Sequence, residues 1–284
     1  MKIIGVLPIK NESAFIETYM SSVDQVCDKV IVLDDSSTDN SVEILSKNNK
    51  FEVITIDNDN NWSTKRAALF DVARQNSATH IISLDADEAF THSFIENFDT
   101  IVNQTKPGFR YTFQWLAMWK SYTQYRQDYS VWSNSFKDFL FHDDGKLEYS
   151  GSWIHEPRFP NTNNVTQFPT NMGAVFHFQF SCWDAFQIKQ SWYRCLERVK
   201  NPNKHPQQIN LTYSITLDDN NVNTVQAPEL WYKNIKMPND NDIYKNSLWR
   251  IDDIKKWFEE YGIEYFSGLN IWHVKEINDL KNGI

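Results

Sequence analysis

The chain predicts an α/β fold with a mostly parallel sheet, and three features of its first 107 residues carry that prediction. Short apolar runs recur at residues 3–7, 29–33, 51–56 and 80–84. Between them lie segments whose apolar residues recur at the helical period. The runs at 3–7, 29–33 and 80–84 each end in a polar, acidic cluster. Strands alternating with helices require right-handed crossovers, so the strands lie parallel and both faces of the sheet are covered.

In chain order, the first run leads into a helix marked by Phe15, Ile16, Tyr19, Met20 and Val23, with Ser13 placed to cap it. The second run ends in Asp34-Asp35-Ser36-Ser37-Thr38-Asp39, whose last residues can cap a helix through Val42, Ile44 and Leu45. After the third run, residues 63–74 read as a helix with Ala67, Ala68, Leu69 and Val72 inside. The fourth run ends at Asp85-Ala86-Asp87-Glu88. Beyond Pro107-Gly108 the pattern becomes aromatic-rich, with strand-like pieces at 109–119, 131–141, 149–159 and 174–180, and Asp143-Asp144-Gly145 signals a hairpin turn. Residues 183–199 form an amphipathic helix through Phe186, Trp192, Tyr193, Leu196 and Val199. Residues 201–227, rich in Asn, Pro and Gln, read as a long loop, and 251–261 as one further helix. Only Trp62 of the 11 tryptophans lies in the first 107 residues, so the two parts have different tasks.

A chain of 284 residues is one large domain or two small ones. Its net charge of -9 offers no basic field to gather DNA or RNA, which excludes nucleic acid as the expected partner. No apolar run approaches the ~20 residues of a membrane span, and the opening residues are too short for a secretion signal. A soluble, cytoplasmic protein is the expectation. Cys27, Cys182 and Cys195 are too scattered for a disulfide framework or a zinc cluster.

Acidic residues gathered at three strand ends are costly unless a positive species binds among them, and in such sheets ligands bind beyond the carboxyl ends of the strands. Pro8, Asn11 and Glu12 follow the first run, Asp34 and Asp35 the second, and Asp85 and Asp87 the fourth. With Lys65-Arg66 opening the third helix, this ordered set resembles the start of the family 2 glycosyltransferases of the GT-A fold, over about the first 90 residues. The resemblance implies a GT-A-like (Rossmann-like) domain. Residues 1–107 would bind a nucleotide sugar, 108–200 the acceptor, and 201–284 would form a C-terminal extension. The implied reaction is inverting transfer of a sugar from a nucleotide diphosphate sugar to a glycan or glycolipid.

Residue chemistry agrees with the resemblance. An acidic protein holds a diphosphate through a divalent cation, so Asp87 would coordinate Mn2+ or Mg2+, with Asp85 on the ribose or a metal-bound water. The alternative is a solvated turn and helix cap formed by Asp85, Asp87 and Glu88. Asp34 or Asp35 would accept a hydrogen bond from a ring N–H of the base. Uracil, thymine and guanine have that donor, which favours UDP, dTDP or GDP sugars. Lys65 and Arg66 match the family's basic position near base and phosphate. His177, polar within an apolar strand, is either a metal ligand, as the resemblance implies, or a hydrogen-bonded core residue.

Inverting displacement needs one carboxylate to take the acceptor hydroxyl's proton. Glu156, in Trp153-Ile154-His155-Glu156-Pro157-Arg158, follows the acidic motif by about 70 residues and resembles the segment where relatives of lipopolysaccharide type carry their base. Its alternatives are Asp143 and Asp144, or a structural ion pair of Glu156 with Arg158. Trp153, His155 and Arg158 are expected at the acceptor, with Trp115 and Trp119 as weaker stacking candidates. The absence of a Gln-x-x-Arg-Trp motif favours single-sugar transfer over polymer synthesis.

Three rivals remain at this level. A haloacid-dehalogenase-like phosphatase would carry Thr or Val where Ala89 stands. A nucleotidyltransferase would have a Gly-rich basic loop after the first strand. A non-catalytic glycan-binding relative would bind sugar without nucleotide.

Overall fold

A computed structural model describes residues 1–56, 62–150, 157–217 and 219–283. Its elements are β1 (Ile3–Ile9), α1 (Ser13–Val23), β2 (Lys29–Asp34), α2 (Ser41–Leu45), β3 (Phe51–Thr55), α3 (Trp62–Gln75), β4 (His80–Ser83), β5 (Glu88–Phe90), α4 (His92–Asn103), β6 (Phe109–Ala117), β7 (Gln124–Arg126), β8 (Ser135–His142), β9 (Val165–Gln167), β10 (Ala174–His177), α5 (Trp183–Lys200), α6 (Pro206–Leu217), β11 (Thr224–Gln226), α7 (Asp240–Ser247), α8 (Trp249–Tyr261) and α9 (Lys275–Gly283).

The main sheet has the order β3-β2-β1-β4-β8-β6-β10-β5, with β9 added on β6. Strands β3, β2, β1 and β4 are parallel, as expected, and β8 runs antiparallel to both β4 and β6. Every residue of β1 is buried, and its side chains alternate between two clusters. Leu7 and Ile9 face α1 with Val30 and Val32, while Ile4 and Val6 face α3 with Ile31, Leu33, Leu69 and Phe70. The chain leaves β1 toward β2 and β3, then returns on the other side as β4, so β1 stands at a topological switch where a ligand crevice opens. The α/β architecture with its run of parallel strands is the one the sequence predicts.

Only residues 84–87 separate β4 from β5, although β8, β6 and β10 lie between the two strands in the sheet. The acidic motif therefore passes the ends of those strands and meets Trp115 of β6 and His177 of β10 on the way.

Four expectations are corrected. Ser13 is the first residue of α1 rather than its cap: its N–H donates to Asp39 Oδ2 at 3.0 Å, while Asp39 Oδ1 accepts from the Ser41 N–H at 2.9 Å. One carboxylate thus closes the starts of both helices. Asp143-Asp144-Gly145 does turn the chain, but the described residues from 143 to 160 form no hairpin strand. Arg74 of α3 takes both Asp143 carboxylate oxygens at 2.7 and 2.9 Å and the Leu147 carbonyl at 2.7 Å, which draws the segment onto α3. The stretch 201–227 holds α6, anchored by the buried Ile209, and β11, which pairs with β7. The last part adds α7 and α9 to α8, held by Ile243 and Ile277. Cys27, Cys182 and Cys195 are free and buried, and among the described residues no helix is long and apolar enough to cross a membrane.

Candidate active site

The carboxyl ends of β1, β2 and β4 lie side by side in the sheet, and the groups around them form three linked sets. The first is built by the β1 and β2 ends. Pro8 is buried within β1 opposite Leu33. Asn11 adopts a left-handed backbone (φ 53°), which asparagine tolerates. Its Oδ1 accepts from the Thr38 N–H at 2.7 Å, and its own N–H donates to Ser37 Oγ at 2.8 Å. These bonds lock the two strand-end loops together.

Asp34 and Asp35 are both 1% exposed but face opposite ways. Asp34 is turned onto its own loop, accepting from the Ser37 N–H at 3.2 Å and from Thr55 Oγ1 at 3.4 Å. Asp35 faces α3, with its carboxylate 2.9 Å from Lys65 Nζ and 3.7 Å from Lys10 Nζ.

The second set surrounds Asp85 and Glu88. Arg66 donates to Asp85 Oδ1 at 2.7 Å and to Ser83 Oγ at 3.3 Å. Arg158 donates to both Glu88 oxygens at 2.8 Å, to Asp85 Oδ2 at 3.1 Å and to the Ser83 carbonyl at 2.8 Å. Glu88 also accepts from Trp115 Nε1 and from the Asp85 N–H. Burial pushes the Glu88 carboxyl up to about 7 against the opposing pull of Arg158. Burial acts on Asp85 in the same sense, but Arg158 and Arg66 together hold it well below the usual carboxylate range. Glu88 is fully buried and Asp87 is 7% exposed, so neither belongs to a solvated turn, whereas the Asp85 side chain is 39% exposed.

The third set surrounds Asp87. Its Oδ2 lies 3.3 Å from Lys189 Nζ and 3.7 Å from His177 Nε2. Burial works against ionisation of Asp87, yet Lys189 and His177 lower its pKa. The His177 ring stacks on Trp115 at 4.1 Å and meets the edge of Phe180, and burial lowers its pKa to about 4, so the imidazole is neutral at pH 7. Among the described residues its Nδ1 has no hydrogen-bond partner. Glu12, partly exposed where β1 gives way to α1, is raised to about 7 by desolvation, against the charges of Lys189 and Arg250.

The structure therefore gathers Asn11, Glu12, Asp34, Asp35, Lys65, Arg66, Asp85, Asp87, Arg158 and His177 around the adjoining carboxyl ends of β1, β2 and β4. Trp153, His155 and Glu156 lie outside the described residues. Asp143 is engaged by Arg74, and Asp144 Oδ1 accepts the Lys146 and Leu147 N–H groups, so each has a local structural task. Trp115 is committed to Glu88 and His177. Trp119 is buried against Phe180 and lies under the Arg126 guanidinium.

Sequence reasoning missed three of the charged groups here: Glu88 as the partner of Arg158, and Lys189 and Arg250 altogether. A signal existed for the last two. Lys189 stands three residues after Phe186 and four before Tyr193, and Arg250 four before Ile254, so each places a charge on the apolar face of its helix.

Among the described residues, no three His, Cys, Asp or Glu side chains form a cluster that could hold a metal ion. Residues 6–142 match the family model described as glycosyl transferase family 2. No curated protein matches the chain. Among solved structures, residues 1–349 of TarS from S. aureus are similar at 11% identity, with a TM-score of 0.42 over 100% of this chain and 92% of that one. Glucosyl-3-phosphoglycerate synthase from Mycobacterium tuberculosis, in complex with Mn2+ and UDP-glucose, is similar at 21% identity, with a TM-score of 0.29 over 41% of this chain and 43% of that one.

Proposed function

We propose that the chain, whose residues 6–142 match the glycosyl transferase family 2 model, transfers a sugar, with inversion, from a nucleotide diphosphate sugar to a glycan or glycolipid. The observation that carries this reading is the Asp87–His177 pair beside the β1 and β2 ends. A carboxylate oxygen and a neutral imidazole nitrogen 3.7 Å apart suit a Mn2+ or Mg2+ ion that leaves its other positions to phosphate and water. When bound, the cation neutralises charge growing on the departing diphosphate. Asp85, tied to Arg66 and Arg158, stays ionised and fixed beside it for the ribose.

Asp35 reads the base in this scheme. It shares the α3 side of β2 with Lys65, and Arg66 lies next along α3, whereas Asp34 is spent on its own turn. Glu156 is the general base, supported by Arg158, two residues farther along the chain, being anchored to Asp85 and Glu88. Trp153 and His155 would line the acceptor with it.

Titration calorimetry with UDP, dTDP and GDP tests the reading. One of them should bind in Mn2+ and lose affinity in chelator, and Asp87→Asn should abolish that difference. Equal affinity in Mn2+ and chelator would overturn the metal assignment, and no binding by any of the three would overturn the donor class. In the same experiment Asp35→Ala should weaken the nucleotide about tenfold or more, the worth of one hydrogen bond to a charged group. Asp34→Ala should cost clearly less. The reverse order would move the base to the Asp34 side.

A further inference from the structure

Two cations at the crevice come from helices beyond the family-matched residues, Lys189 of α5 and Arg250 of α8. Lys189 is 19% exposed and spends one donor on Asp87 at 3.3 Å. Its ammonium has three donors, so it retains capacity for further acceptors. Arg250 is 9% exposed, lies over the Trp249 ring at 4.4 Å, and its Nε has no hydrogen-bond partner among the described residues. Lys10, which follows β1 and lies 3.7 Å from Asp35, sits over the same Trp249 ring at 5.9 Å, which brings Arg250 to the β1 end, and both Lys189 and Arg250 act on Glu12 there. A buried guanidinium is costly unless an anion meets it, and Arg250 makes no ion pair with a carboxylate among the described residues. Arg66 and Arg158, by contrast, are already committed to Asp85 and Glu88.

We propose that Lys189 and Arg250 bind the diphosphate of the donor, Lys189 holding Asp87 in the free protein and turning to phosphate oxygens when the donor enters. The proposal rests on the nucleotide-sugar reading above. It gives α5 and α8 a direct part in the donor pocket: a chain of net charge -9 has no diffuse field to hold phosphate and needs fixed cations at the site. Lysine serves as a point charge and arginine as a planar fork, both suited to phosphate oxygens.

The test is calorimetry in Mn2+ with whichever of UDP, dTDP and GDP the wild type binds, the matching nucleoside, Mn2+ alone, and inorganic pyrophosphate. Lys189→Met and Arg250→Met should each weaken the diphosphate and pyrophosphate about tenfold or more. Nucleoside affinity should be unchanged, Lys189→Met should not weaken Mn2+ alone, and Lys189→Arg should retain most diphosphate affinity. If Lys189 serves only as a counter-ion to Asp87, Lys189→Met would leave diphosphate affinity the same or raise it, because the ammonium no longer competes with Mn2+. That result overturns the proposal, as does unchanged affinity in Arg250→Met. Melting curves identify a variant that fails to fold, in which case the Met variant that does fold decides. Pyrophosphate separates the two readings: a wild type that binds it while refusing all three nucleotides sinks the donor class and leaves Lys189 and Arg250 to be judged on pyrophosphate. A wild type that binds neither sinks both.

Discussion

Arg158→Met is expected to destabilise the fold by about 3–5 kcal/mol, the usual cost of removing one partner from a buried ion pair. For a chain of this size that is a fall of roughly 10 °C in melting temperature. The guanidinium is 13% exposed and bridges Glu88, Asp85 and the Ser83 carbonyl. Without it, Glu88 keeps, among the described residues, only the Trp115 and Asp85 N–H donors for a carboxylate with no solvent contact. The loss should depend on pH. Burial raises Glu88 from its ordinary 4.5 to about 7, so its proton-linked stabilisation is full below 4.5 and is lost as pH rises through about 7. Removing Arg158 raises that carboxyl further, so the lost stability extends to higher pH and the gap from wild type widens between pH 5 and pH 8. Urea unfolding at three pH values across that range measures it. A variant that unfolds with the wild type throughout would show that the clamp carries no stability. The double variant Glu88→Gln/Arg158→Met should recover much of the loss, because the buried charge goes with its partner.

The same clamp shows what the sequence could and could not convey. Strands β1, β2 and β4 are legible because apolar runs and the polar residues that end them are local signals. Glu88 reads locally as one more acidic turn residue, and its burial is decided by Arg158, 70 positions away. Asp143-Asp144-Gly145 likewise announces a turn correctly, but the direction taken afterwards is set by Arg74 on another helix. Helix α6 is hidden because Ile209 is its one buried apolar residue among those described, and the Asn and Gln around it look like loop. Lys189 and Arg250 interrupt an apolar helix face, and such an interruption is readable in the sequence once a charge on a buried face is treated as a demand for a partner.

Glu156→Gln should leave nucleotide affinity intact and cut turnover by roughly 100-fold or more, the usual worth of a general base. In the proposed inverting transfer the acceptor hydroxyl attacks C1 from the side opposite the leaving diphosphate, so a base that takes its proton would touch neither phosphate nor metal. The proposed roles of Asp87 and Lys189, by contrast, lie in donor binding, which makes the two classes of variant separable by calorimetry. Until an acceptor is in hand, slow hydrolysis of the donor is the measurable proxy, followed as release of nucleoside diphosphate, and it should fall as well if the same carboxylate activates water. Release at the wild-type rate, with normal sugar transfer once an acceptor is found, would remove Glu156 from the chemistry. The role would not then pass easily to Asp143 or Asp144, since one is held by Arg74 and the other accepts two backbone N–H groups of its own turn. Loss of nucleotide binding in the Gln variant would instead place Glu156 in the donor pocket, on the same side as Arg158 and Asp85.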